Sequence, residues 1–182
     1  MVSVPFSAVE SVTVTVSVWP KLASATITLP NEYAFAVALD SSNALYVSWF
    51  SLSSFGMAIY KYPSEGSTGG ANLNLKLPGY IFPAFAIAFD NRGDLVVPVE
   101  DLTHGAPKYL AIFAPGETKP KHKIRMKGLV DVVGGLAFPR DNSNVFYIAS
   151  ENDHDWKQLT YTKGVPRRVV NVAGPTGLAL SP

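Results

Sequence analysis

Residues Ala84–Val97 read AFAIAFDNRGDLVV. "AIAF" is a short apolar run of the kind that forms a strand buried on both faces. "DNRGD" carries turn chemistry, and "DLVV" is rich in β-branched residues. The same phrase occurs earlier and later in the chain. Ala34–Val47 reads AFAVALDSSNALYV, and Gly135–Ile148 reads GLAFPRDNSNVFYI, with one extra residue in the turn. Gly177–Pro182, GLALSP, matches the first third. Counted from Ala36, the steps to Ala86, Gly135 and Gly177 are 50, 49 and 42 residues. A recurrence at this period fixes the architecture before any other feature is weighed.

The second half of each unit recurs more loosely. MAIYKYPSEGS from Met57, YLAIFAPGETK from Tyr109 and WKQLTYTKGVP from Trp156 each read as a strand followed by a Pro or Gly turn. One further alternating strand follows each: NLNLKLP from Asn72, HKIRMKG from His122 and RRVVNVA from Arg167. A unit is therefore four strands over roughly 45 residues, the pattern of one β-propeller blade. At the N-terminus, Val12–Pro30 (VTVTVSVWPKLASATITLP) reads as a third strand, a turn and a fourth strand, with MVSV before it as a second strand. This partial blade lacks a first strand, and GLALSP is a first strand. The expected fold is all-β: a small propeller of about four four-stranded blades in one domain, 1–182. Its ring is closed by the C-terminal strand pairing with the N-terminal half-blade, which removes exposed sheet edges. The blades fall at about 34–83, 84–133, 134–174, and 175–182 plus 1–33. Two alternatives share this phasing: a fragment of a larger propeller without independent activity, and two chains forming one larger ring. A monomer or a homodimer is expected accordingly.

Composition bounds the function. Hydrophobic residues make up 47% and charged residues 16%, enough apolar material for a real core. The net charge is +1, so no nucleic-acid partner is expected. There is no cysteine, which excludes disulfide and thiolate chemistry. No apolar run approaches the ~18 residues of a membrane span, so no membrane insertion is expected. The start, MVSVPFSAVES, has no basic region followed by an apolar run, and no signal peptide is read there. The compartment stays undetermined.

The pattern AIAFD..G.LVV followed by YLAIFAPGETKPKHKI resembles the NHL-type propeller repeat and the related repeats of gluconolactonase- and regucalcin-like proteins. The resemblance covers nearly the whole chain at the level of blade grammar. It implies the propeller fold and says less about activity, because propellers host unrelated functions. Members include lactonases, lyases and binding modules, and many are exported. Most have five to seven blades. The resemblance also implies that ligands bind on the face bearing the loops between second and third strands.

Those loops are expected at Pro5–Ser11, Trp49–Gly56, Glu100–Pro107 and Glu151–Asp155. Glu100 and Glu151 open two of them, followed by Asp101 and His104 in one and by Asn152, Asp153 and His154 in the other. Carboxylates and imidazoles on one face suit a divalent cation. Glu100, Glu151 and Asp153 are the candidate metal ligands, of the types that lactonase-like relatives use; a polar, solvent-facing rim is the other reading. Trp49, Phe50 and Phe55 place three aromatics in one expected loop, where they stack on a sugar or an apolar partner, or fold back over a blade interface.

Other features read as structure. Asp40 and Asp90 open the turn after a first strand, where Asp bonds the backbone two residues on. KPKHKIRMK, Lys119–Lys127, alternates cations with Ile124 and Met126 on an outermost strand, where lysines guard an edge. No nucleophile elbow, zinc-protease motif, P-loop or Rossmann glycine pattern is present. The expected function is a non-enzymatic binding or scaffolding module for a protein or glycan partner, without a cofactor. The alternative is a metal-assisted, lactonase-like hydrolase holding a divalent cation.

Overall fold

The computed structural model describes residues 12–18, 23–29, 32–51, 56–63, 69–77, 86–99, 109–126, 133–139, 145–150, 155–160 and 166–171. Fourteen strands run through them, and no helix. β1 (Val12–Val18) pairs with β2 (Ala23–Leu29) in an antiparallel two-stranded sheet. The first four-stranded sheet holds β3 (Glu32–Leu39), β4 (Leu45–Ser51), β5 (Gly56–Tyr62) and β6 (Ala71–Asn72). The second holds β7 (Ala88–Phe89), β8 (Leu95–Val99), β9 (Tyr109–Phe113) and β10 (His122–Arg125). The third holds β11 (Val133–Ala137), β12 (Val145–Ser150), β13 (Asp155–Thr160) and β14 (Pro166–Asn171). Every pairing is antiparallel, and strands follow one another in sequence order across each sheet. The repeat in the sequence is thus a repeat of four-stranded antiparallel meanders.

The repeated phrase is the β3–β4 hairpin in the first sheet and the β7–β8 hairpin in the second, with equivalent turns. Asp40 N–H donates to Ala44 O and Asn43 N–H to Asp40 O; Asp90 N–H donates to Asp94 O and Gly93 N–H to Asp90 O. Asn43 (φ 62°) and Gly93 (φ 78°) occupy the same left-handed position, which Gly and Asn tolerate best. The carboxylates of Asp40 and Asp90 bond the backbone two and four residues on.

The core lies between sheets. Alternate residues of one strand face opposite sides, so β8 and β9 feed two clusters at once. Leu95, Val97, Val99, Ala111 and Phe113 pack with Ala44, Tyr46 and Ile59 of the first sheet. Val96, Leu110 and Ile112 pack with Leu136, Phe146 and Ile148 of the third. The second sheet is therefore covered on both faces, which explains its almost continuous apolar sequence. Each fully buried Val, Leu, Ile or Phe here contributes about 1.5–3 kcal/mol. The first strands of the three sheets lie side by side, β7 near β3 and β11 near β7.

Two departures from the sequence reading have local causes. NLNLKLP is not a continuous fourth strand: β6 stops at Asn72, and only Leu73 N–H carries the pairing on, to Ile59 O. Asn72 Oδ1 accepts from Asn74 N–H (2.8 Å), and Asn74 turns left-handed (φ 49°). That turn competes with the ladder and diverts the chain, so that Lys76 N–H bonds Thr118 O of the second sheet at 2.7 Å. Leu73, Leu75 and Leu77 still face the core between the first two sheets. Second, β3 and β11 each carry a bulge at the same point of the repeat, between Ala34 and Ala36 and between Val133 and Gly135.

Candidate functional site

Trp49 and Phe50 are not in a loop. β4 runs on to Ser51, and the two residues pair with Ala58 and Met57 of β5. As neighbours on a strand they face opposite sides of the sheet. Trp49 is 1% exposed, packed with Leu45, Val47 and Tyr62. Its indole N–H has no hydrogen-bond partner among the described residues. Phe50 is half-buried on the other face, directly opposite Tyr33 of β3.

There Phe50 joins a cluster that the sequence reading missed. Phe35 stands edge-on to Phe50, with ring centroids 6.3 Å apart, and Tyr33 lies 6.5 Å from Phe35. Phe35 is the extra residue of the β3 bulge, and a bulge re-aims side chains at a strand end. All three rings are half-buried. They sit where β3 begins and β4 ends, the sheet end that carries residues 52–55. The signal in the sequence was EYAF, Glu32–Phe35, just ahead of the repeated apolar run.

The opposite end of the sheet is charged. Asp40 Oδ2 lies 3.3 Å from Lys61 Nζ and accepts from Tyr46 Oη at 3.3 Å. The Lys61 ammonium sits 5.2 Å above the Tyr46 ring, a cation–π contact. Partial burial opposes ionisation of Asp40. The hydrogen bonds from Ser42 Oγ, the Ala44 and Ser42 N–H groups and Lys61 outweigh it and hold the carboxyl at about 2. The bond to Tyr46, set against partial burial, and the Asp40 charge push the Lys61 ammonium up. These mutually satisfied groups tie β3, β4 and β5 together. In the second sheet Asp94, 2% exposed, pairs with Lys121, and Lys123 lies 5.3 Å over the Tyr109 ring. Two of the cations in the basic run are thus engaged with their own sheet, while Ile124 and Met126 turn into the core.

Two small clefts flank the edge of the first sheet. One of about 250 Å³ is lined by Trp49, Ala58, Tyr60 and Asn72; the other, of about 280 Å³, by Met57, Ile59, Asn74 and Leu75. Among the described residues, neither has a charged side chain in its lining. Phe55, Glu100, Asp101, His104, Glu151, Asn152, Asp153 and His154 lie outside the described residues. Among the described residues, no group of three His, Asp or Glu side chains is placed to hold a metal ion. No helix among them is long and apolar enough to cross a membrane. The chain matches no protein-family model and none of the curated proteins.

Proposed function

We propose that the three sheets are consecutive blades of a small closed β-propeller of NHL-like type, with β1 and β2 as the outer half of a fourth blade. The protein is a non-enzymatic binding module. It engages a protein or glycan partner through the end of the blades where β4 stops and β3 begins. The observation that carries this reading is the half-exposed cluster of Tyr33, Phe35 and Phe50. Aromatic rings held by a rigid strand end present apolar area at low entropic cost, and they suit both sugar faces and protein anchors. The neutral rings of the cluster, and the lack of a charged side chain among the described residues lining both clefts, favour an uncharged contact over an ionic one.

The test is a binding screen of the full chain against an array of neutral glycans and a library of immobilised peptides. Replacing Phe35 and Phe50 by Ala is expected to lower affinity for the selected partner at least tenfold, about 1.4 kcal/mol. A chelator in the buffer is expected to leave binding unchanged. A partner bound equally well by the double variant sinks the aromatic assignment. A divalent ion found in stoichiometric amount by elemental analysis favours the hydrolase reading instead, with Glu100, Glu151 and Asp153 as its ligands.

A further inference from the structure

β10 is the outermost strand of the second sheet, and no described strand pairs with its outer edge. A strand in that position presents a row of backbone N–H and C=O groups to any other chain. The charge along this edge is of one sign. Between 117 and 126 stand four cations, Lys119, Lys121, Lys123 and Arg125, against one carboxylate, Glu117. The net charge of the whole chain is only +1, so positive charge is concentrated here.

Most of that charge is not neutralised. Lys121 pairs with Asp94. Lys119, Lys123 and Arg125 are exposed and make no ion pair among the described residues. Lys123 and Arg125 flank Ile124, which packs into the core between the second and third sheets, so the two cations share the opposite face. Tyr109 fixes that face: its ring lies under Lys123, and it stands directly opposite Arg125 in the ladder. Lys76, also exposed, comes in from the first sheet, where its N–H bonds Thr118 O in the turn that leads to β10.

We propose that the outer edge of β10 takes an extended acidic peptide as a fifth strand of the sheet, with Asp or Glu at every second position. A sheet edge offers main-chain hydrogen bonds that another extended backbone matches, while alternate side chains supply specificity. Lys123 and Arg125 are two residues apart, about 6.8 Å along the strand, which is the spacing of alternate carboxylates on a partner strand. Opposite charges facing each other across a strand pair are favourable, and like charges are not. The cations therefore turn away a second copy of β10 and favour an acidic strand, so the guard against self-pairing is also the filter for a partner. This edge belongs to a different sheet from the aromatic cluster, and its role does not depend on the ring closing.

The test uses the full chain and a fluorescent synthetic peptide that alternates Glu with Val, followed by fluorescence anisotropy at low salt. Saturable binding is expected, and no binding overturns the proposal. Lys123→Glu with Arg125→Glu is expected to weaken it at least about tenfold, and unchanged affinity overturns the assignment to β10. Should that variant fold poorly by circular dichroism, Lys123→Gln with Arg125→Gln replaces it, with a loss of at least about threefold expected and unchanged affinity again overturning the assignment. Two further peptides keep the charge but carry N-methyl groups, one on the Glu amides and one on the Val amides. A strand pairs through one edge, so one of the two is expected to bind at least about tenfold more weakly than the other. Equal affinities of the two overturn strand addition. A sulfated polysaccharide that displaces the peptide at lower charge concentration than the peptide itself makes a polyanion the occupant and overturns the proposal.

Discussion

Replacing Asp90 by Ala separates the structural weight of the repeated phrase from its sequence likeness. Asp90 Oδ1 accepts from the N–H groups of Arg92 (2.8 Å) and Asp94 (2.9 Å). Asp90 and Asp94 are 8% and 2% exposed, so water cannot take over the bond to Asp94 N–H. Truncation removes a charge-assisted acceptor and leaves a buried donor unpaired, at a cost of about 2–4 kcal/mol. Asp40 makes the same pair of bonds to Ser42 and Ala44, but its own side chain is 16% exposed against 4% for Asp90, so water reaches its turn more readily. Asp40→Ala is expected to cost about 1–2 kcal/mol, in the range of a lost cap. Asp90→Asn keeps an acceptor oxygen and is expected to fall between wild type and Asp90→Ala. Urea unfolding followed by circular dichroism gives the comparison, with midpoints read at unchanged slope. A typical domain has only about 5–15 kcal/mol in hand, so the Asp90→Ala loss is readily measured. An Asp90→Ala variant within about 0.5 kcal/mol of wild type, or one more stable than Asp40→Ala, would refute this account of the turn.

Two further outcomes follow from local geometry and charge. A Cβ added at Gly70 would lie 2.3 Å from Cε1 and 2.5 Å from Cζ of Tyr62, a ring that is 4% exposed. Gly70→Ala is expected to cost about 1–3 kcal/mol by overpacking, and Tyr62→Leu is expected to recover part of it; a melt unmoved by Gly70→Ala contradicts the packing. The Asp40 carboxyl titrates at about 2 in the fold, against 3.8 ordinarily. A lowered folded-state pKa contributes stability that is full above 3.8 and is lost as pH falls toward 2. Wild type is therefore expected to lose more stability than Asp40→Asn across that window, and parallel pH profiles of unfolding midpoint would rule this out.

The four-stranded units were legible because one pattern was written several times. A single AIAF run is ambiguous between strand and buried helix. Several copies, three of them followed by a polar turn, are not, and β3–β4 and β7–β8 fall where the phrase places them. The end of β6 was illegible for a physical reason. NLNLKLP alternates like a strand, but the Asn72 and Asn74 side chains supply a competing local turn. The aromatic cluster was half legible. Trp49 and Phe50 were grouped by adjacency, although a strand sends neighbours to opposite faces. Phe35 reaches Phe50 through a bulge, which no alternation rule anticipates. The acidic and histidine candidates from Glu100 to His104 and from Glu151 to His154 lie outside the described residues.

The central claim is that these sheets are blades of one small ring built from a single chain. The most direct measurement is the solution mass of the full chain by size-exclusion chromatography with light scattering. The account predicts one compact species at the chain mass of 19.6 kDa. A stable dimer would contradict it and point to a larger ring completed by a second chain.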